Sequence, residues 1–280
     1  MAHGVQAPNQ IAQAVAALPP LPAVALRVVE VAQDPRSSAA DLATVVSADP
    51  GLSAAMLRAA NSAAFRRLNE VRSVQQALVV LGFEQARNIA VSSAITSQYA
   101  PNPLDALFRI EVFWRHSIAV AFRASDLAAR NDEREVATAF TAGILHNMGR
   151  LAMFYADPAG LDQAVAEAIR RREPLEEVEL ELLGYGHCAV GAALAERWNL
   201  PVALREAIAD HHANPAEGSV AACVAAADRY CVANGLFPGY LAAGYEQVAH
   251  DEEFTRLMER TDGLMRLITR EQIGVIPIAR

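Results

Sequence analysis

Apolar side chains recur at three- and four-residue intervals along most of this chain, and alternation with period two is almost absent. That pattern predicts an all-α protein. After LPPLP, residues 22–33 place Val24, Val28, Val31 and Ala32 at helical spacing. Ser38, with Asp41 three residues on, predicts a capped helix running to about Ser47. Asp49-Pro50 starts another, because proline suits a first helical turn, and Leu52, Met56, Leu57 and Ala60 carry it to about Asn61. Ser73 with Gln76 opens Val74–Leu81, which stops at Gly82, and residues 84–97 resume as a helix. The turn-rich YAPNPLDA at 99–106 predicts a boundary. Beyond it the periodicity predicts helices near 105–130, 134–155, 159–172, 175–183, 187–198, 201–212, 218–233 and 251–270. The expected architecture is two helical lobes: a short-helix N-terminal lobe over residues 1–100, and a second lobe over 101–280 that includes the C-terminal helix.

Composition narrows the functional classes. The 280 residues are 53% hydrophobic and 20% charged, enough for a sizeable folded core. No apolar run approaches the ~18 residues needed to cross a bilayer, so no membrane span is expected. The N-terminal MAHGVQAPNQ lacks the basic and apolar regions of a secretory signal. Cys188, Cys223 and Cys231 form no CxxC pattern, which predicts reduced thiols and a cytoplasmic location. There is no lysine; all 24 basic residues are arginine. A Walker-type phosphate loop and a Schiff-base enzyme both need lysine, so both classes are disfavoured. A net charge of −8 supplies no general basic field, and nucleic acid is not an expected partner. The Arg170–Arg172 run is followed by several glutamates and reads as a solvated face.

Against that background a few polar residues lie on apolar helical faces. His116 is flanked at helical spacing by Val112, Phe113, Ala119 and Val120. His146, in GILHNMGRLAMF, has Ala142, Gly143 and Gly149 at the same spacings, which permits close approach by another helix. Asp228 shares its face with Val224, Ala225, Cys231 and Val232. Three helices thus direct one polar residue inward, and the simplest common solution is that they meet. Two histidines and a carboxylate meeting in a core suit iron, zinc, manganese or a similar ion. His187, His211 and His212 follow. Each residue alone also reads as an ordinary hydrogen-bonded core or helix-end side chain; the ordered set is the stronger signal.

That order, H…HN…H…HH…D, resembles the HD superfamily of metal-dependent phosphohydrolases, with Asn147 where the signature Asp is expected. LPPLPAVALRVVEVAQDP, SADPGLSAAMLRAANSAAF, SVQQALVVLGFEQARNIAV, LGYGHCAVGAALAERWNLP and the following IADHH resemble the HDOD family over roughly residues 15–235. The resemblance implies an HD-like second lobe and an output module of bacterial signalling. It carries ligand positions onto His116, His146, Asn147 and Asp228. His187, His211 and His212 would match the additional ligands of two-metal relatives and line the cleft. Arg150, also assigned to the cleft, stands where active HD-GYP relatives usually have lysine; it reads either as an anion-holding or as a surface residue. Asn147 offers a neutral amide oxygen, a poor bridge between two cations, and without a bridged pair a two-ion clamp on phosphate is lost. The sequence requires no cofactor, and one divalent transition metal ion is the one compatible with these residues.

The expected function is therefore a signal-transduction output or scaffold module with a degenerate HD-type site, acting through protein–protein contacts. The alternative is a metal-dependent phosphohydrolase or phosphodiesterase acting on a nucleotide or cyclic dinucleotide. Expected partners are signalling proteins and a small ligand in the HD-like cleft, with the oligomeric state open. FRRLNEVR, with Phe65, Arg66 and Arg67 beside Leu68, Glu70 and Arg72, has the mix of charged rim and apolar anchor found at contact surfaces, and also reads as an ordinary inter-helix loop.

Overall fold

A computed structural model describes residues 7–63, 65, 70–99, 106–241 and 251–268 of the chain. The described residues form helices and connecting turns, with no strand among them. In chain order the helices are α1 (Ala7–Ala17), α2 (Ala23–Gln33), α3 (Ala39–Ser47), α4 (Pro50–Ala60), α5 (Val74–Leu81) and α6 (Phe83–Thr96). Then come α7 (Ile110–Asn131), α8 (Val136–Leu145), α9 (Met148–Ala156), α10 (Pro158–Arg171) and α11 (Leu175–Leu183). The last are α12 (His187–Arg197), α13 (Val202–Asp210), α14 (Val220–Ala233) and α15 (Glu252–Ile268). None of these is long and apolar enough to cross a membrane.

The described residues divide into two compact units. One holds residues 21–99 with 259–268; the other holds residues 7–20 with 106–258. The lobes expected from sequence were residues 1–100 and 101–280; by contacts, residues 7–20 group with 106–258 and residues 259–268 with 21–99. Helix α1, which the apolar pattern did not signal, packs on α9 and α12 of the larger unit. Its Ala14 is buried, and Arg197 on α12 donates to the Val15 carbonyl at 2.8 Å. Alanine supplies most of the apolar face of α1, so its periodicity carries little contrast. The expected boundary stretch at 99–106 lies mostly outside the described residues, which resume at Ala106.

In the smaller unit the helix starts follow local chemistry. Ser38 Oγ accepts from the Asp41 amide while the Asp41 carboxylate accepts from the Ser38 amide at 2.8 Å, a reciprocal capping box. Asp49 caps α4 through the Leu52 amide at 2.8 Å. Asn61 ties the end of α4 to the start of the next segment. Its amide donates to the Leu57 and Val71 carbonyls at 3.0 and 2.8 Å and its oxygen accepts from the Val71 amide at 2.8 Å. The buried hydroxyl of Ser62 beside it makes no hydrogen bond among the described residues. Phe65 lies half-buried in the turn that follows, and Arg66, Arg67 and Leu68 lie outside the described residues.

In the larger unit α7 runs through the middle, packed against α8 and α14, while α9 packs on α12. Two glycines set these distances. A Cβ on Gly143 would stand 2.4 Å from the Ala121 Cα, and one on Gly149 would stand 1.9 Å from the His187 carbonyl oxygen. The single helix expected over 134–155 is instead two, broken at His146 and Asn147. Asn147 leaves helical geometry at φ −98° and ψ 10° and begins α9. The break sits where the His146 ring bonds back to the Gly143 carbonyl, a side-chain competition with the backbone that periodicity cannot register.

Candidate functional site

His116 from α7, His146 and Asn147 from the α8–α9 break, and Asp228 from α14 meet in the core of the larger unit. All four are buried, with Asp228 the most accessible at 3%. His116 Nε2 lies 2.9 Å from Asp228 Oδ1, and His146 Nε2 lies 3.7 Å from the same oxygen.

The tautomers follow from the other ring nitrogens. His116 Nδ1 is 2.8 Å from the Leu236 carbonyl and His146 Nδ1 is 2.7 Å from the Gly143 carbonyl. A carbonyl can only accept, so both Nδ1 atoms carry hydrogen and both rings turn Nε2 toward Asp228. At 2.9 Å His116 Nε2 and Asp228 Oδ1 need a proton or a metal cation between them, since two bare lone pairs at that distance repel. Burial pushes His146 below its usual value, against the pull of Asp228, which favours its neutral, ligating form. Burial would raise the Asp228 carboxyl, but His116 and His146 outweigh it and hold the group well below the ordinary carboxylate range. Histidines fixed by carbonyls through one nitrogen and converging through the other, with an ionised carboxylate, are the donor set of a divalent transition-metal site. The residues present therefore fit a single such ion at His116, His146 and Asp228.

Asn147 takes part differently. Its Nδ2 lies 2.7 Å from His146 Nε2 and donates to the same lone pair that an ion would use, so the amide has to turn aside before an ion binds there. Its Oδ1 accepts from Arg150 Nη1 at 3.3 Å. The amide oxygen is thus engaged by a cationic side chain rather than left open to a bridging ion. Arg150 is neither a surface residue nor a ligand for an external anion: it is fully buried, and its Nε donates to Glu179 Oε1 at 2.6 Å. Glu179, on α11, is equally buried. Burial alone would raise its carboxyl, yet Arg150 and His187 hold it far below the carboxylate range.

His187 and His211 adjoin this centre. The His146 and His211 ring centroids are 5.0 Å apart and those of His187 and His211 are 5.2 Å apart. Burial, with help from Arg150, lowers His187 to about 4, and burial lowers His211 well below the usual histidine value. His212 is partly exposed and faces Glu176, with 3.4 Å between Nδ1 and Oε1. Asp228 and His212 also line a cavity of about 340 Å³ together with Arg172, Glu176, Arg229 and Tyr240. Of the four residues expected to line a cleft, only His212 lines this cavity; Arg150, His187 and His211 lie in the core around it.

Sequence reading missed Glu179 and Cys188. Glu179 was hidden in the acidic run LEEVELELL, although its four-residue spacing from Leu175 and Leu183 marked the inward face. Cys188 was read only as one of three reduced thiols with no motif. It is half-buried, with Sγ 3.6 Å from His187 Nε2 and 4.0 Å from His211 Nε2.

An all-helical fold in which histidines from successive helices and one late aspartate gather in a core defines an HD-like protein. The HDOD domain model matches residues 18–214, and the chain belongs to that family. It is 26% identical to a solved HDOD domain protein of unknown function from Geobacter sulfurreducens, covering 93% of this chain and 89% of that one at a TM-score of 0.70. A protein from Shewanella amazonensis SB2B, provisionally named a phosphohydrolase, is 28% identical over 92% of this chain and 91% of its own, at a TM-score of 0.63. A structure from Marinobacter aquaeolei VT8 shares the fold at 24% identity and a TM-score of 0.73; this chain spans 65% of it. An uncharacterized protein of Treponema pallidum is 26% identical over 208 residues, and the chain spans only 39% of that relative's length.

Proposed function

We propose that this chain is a cytoplasmic signal-transduction output module whose HD-type centre is degenerate, and that it acts through contacts with signalling proteins. The observation that supports this most is the placement of Asn147. Its amide caps His146 Nε2 and its oxygen is bound by Arg150, so the position that would bridge two cations is neutral and already occupied by a guanidinium. A bound divalent ion would supply Lewis acidity; His116, His146 and Asp228 would hold it. The Nδ1 bonds to Leu236 and Gly143 orient both rings, and burial keeps bulk water from them. Phe65, Arg66 and Arg67 remain the proposed partner contact.

A second reading, a metal-dependent phosphohydrolase acting on a nucleotide or cyclic dinucleotide, is favoured by the cavity. Asp228 lines it beside Arg172 and Arg229, two arginines suited to an anionic ligand. The two readings separate in one experiment. Purified protein supplemented with manganese or iron is offered nucleotides and cyclic dinucleotides, with His146→Ala as control. The output-module reading expects no enzyme-like turnover. Metal-dependent hydrolysis that disappears in His146→Ala would overturn it in favour of the second.

A further inference from the structure

We infer that α1 is a releasable strap over the seam between α9 and α12, and that its release loosens the packing around Arg150 and His187.

The seam is built for close approach rather than for burial. A Cβ on Gly149 of α9 would stand 1.9 Å from the His187 carbonyl oxygen and 2.6 Å from the Gly191 nitrogen, both in α12. Glycine lets two backbones meet but brings no side chain to bury between them. A contact of that sort relies on whatever packs beside it. Two buried polar residues flank it: Arg150, next to Gly149, and His187, the first residue of α12. Arg150 Nη2 lies 2.8 Å from His187 Nδ1, so a shift of α12 against α9 separates them.

Helix α1 packs on both α9 and α12. Ala14 and Leu18, one turn apart, are its fully buried anchors. Gln10, Ile11 and Val15 are half-buried, while Pro8, Asn9, Ala12, Gln13 and Ala16 face solvent. Its 11 residues fall short of the ~12–15 that an isolated helix needs in water, so α1 is helical only while seated. The Val15 carbonyl, in the last turn, has no partner inside the helix. It accepts instead from Arg197 of α12 at 2.8 Å, at the exposed rim. A short uncharged helix with two deep anchors and a solvent-exposed tie opens without global unfolding. The HDOD match starts at residue 18, one residue beyond α1, so the strap lies outside the matched domain.

Seated, α1 covers both helices and holds them at the glycine contact. Released, it leaves that contact without its outer support. A signalling partner that takes the apolar face of α1 lifts it from its seat, and the change reaches Arg150 and His187 through α9 and α12.

Hydrogen exchange read by mass spectrometry tests this in the full-length reduced protein. In the wild type, α1 amides should exchange at least about a hundredfold faster than those of α7, the signature of opening below the global barrier. Ala14→Glu puts a charge on the buried face and should unseat α1. Exchange in α9 and α12 should then rise at least about tenfold, with α7 and α14 unchanged. Alkylation of Cys188, on α12, should quicken, with Cys223 and Cys231 on α14 as internal controls. Arg197→Ala should shift α1, α9 and α12 in the same direction by less, and Ala12→Glu, on the solvent side, should shift none of them. Protection of wild-type α1 equal to that of α7, or global unfolding of Ala14→Glu, would make α1 part of the core and overturn the strap. Loss of α1 protection with α9, α12 and Cys188 unchanged would overturn the coupling. The measurement needs no metal and no turnover, so its failure would leave the proposed output role untouched.

Discussion

Arg150 and Glu179 form an ion pair at 2.6 Å in which neither side chain reaches solvent. They come from α9 and α11, and between them they touch Asn147 and His187. The pair therefore links the residue that replaces the signature aspartate to the buried His187.

Breaking this pair on one side leaves a buried charge without its partner. Arg150→Met should destabilise the protein by about 3–5 kcal/mol in urea unfolding. The double variant Arg150→Met with Glu179→Leu should recover much of that loss, since apolar replacement of a whole buried pair is often neutral or better. If Arg150→Met costs less than about 1 kcal/mol, water reaches the pair and the buried description fails.

Restoring the signature should act through charge. In Asn147→Asp a carboxylate would face the His146 lone pair that the amide now caps. Relief comes from a cation, so metal occupancy should rise, measured by elemental analysis after dialysis against manganese or iron. Occupancy no higher than in the wild type would mean that Arg150 already neutralises the added charge.

Two glycines should respond with opposite signs. Gly149→Ala drives a Cβ to 1.9 Å from the His187 carbonyl oxygen and 2.6 Å from the Gly191 nitrogen, both backbone atoms. Overpacking against backbone should cost about 3 kcal/mol or more. Gly263→Ala, within α15, meets nothing within 4 Å and should gain about 0.5–1 kcal/mol from helix propensity. Thermal unfolding of the two variants checks both; equal and small shifts would refute the close α9–α12 contact.

Asn61 is a clamp whose loss should be measurable without touching any candidate ligand. Asn61→Ala removes three hydrogen bonds to Leu57 and Val71. A loss of about 2–3 kcal/mol is expected. Asn61→Asp keeps the acceptor for the Val71 amide but loses the donors, and should fall between. A melting temperature unchanged in Asn61→Ala would show that Val71 is held in some other way.

The sequence by itself determined the helical class, most helix starts and the inward direction of His116, His146 and Asp228. Those features are local: a capping box acts over three residues, and an apolar face repeats within a turn or two. Tertiary structure decided what local pattern cannot carry. The break between α8 and α9 falls where the His146 ring bonds Gly143, and the docking of α1 depends on a surface made by α9 and α12. Arg150 looked ambiguous because its partner lies 29 residues away, in an acidic run that resembles a solvated face. Which nitrogen of His116, His146 and His211 carries hydrogen was settled by carbonyls at Leu236, Gly143 and Ile208, only two of them close in sequence to the ring they hold. A charge or lone pair in the core takes its character from whatever the fold brings against it, and that contact is fixed only when separate helices pack.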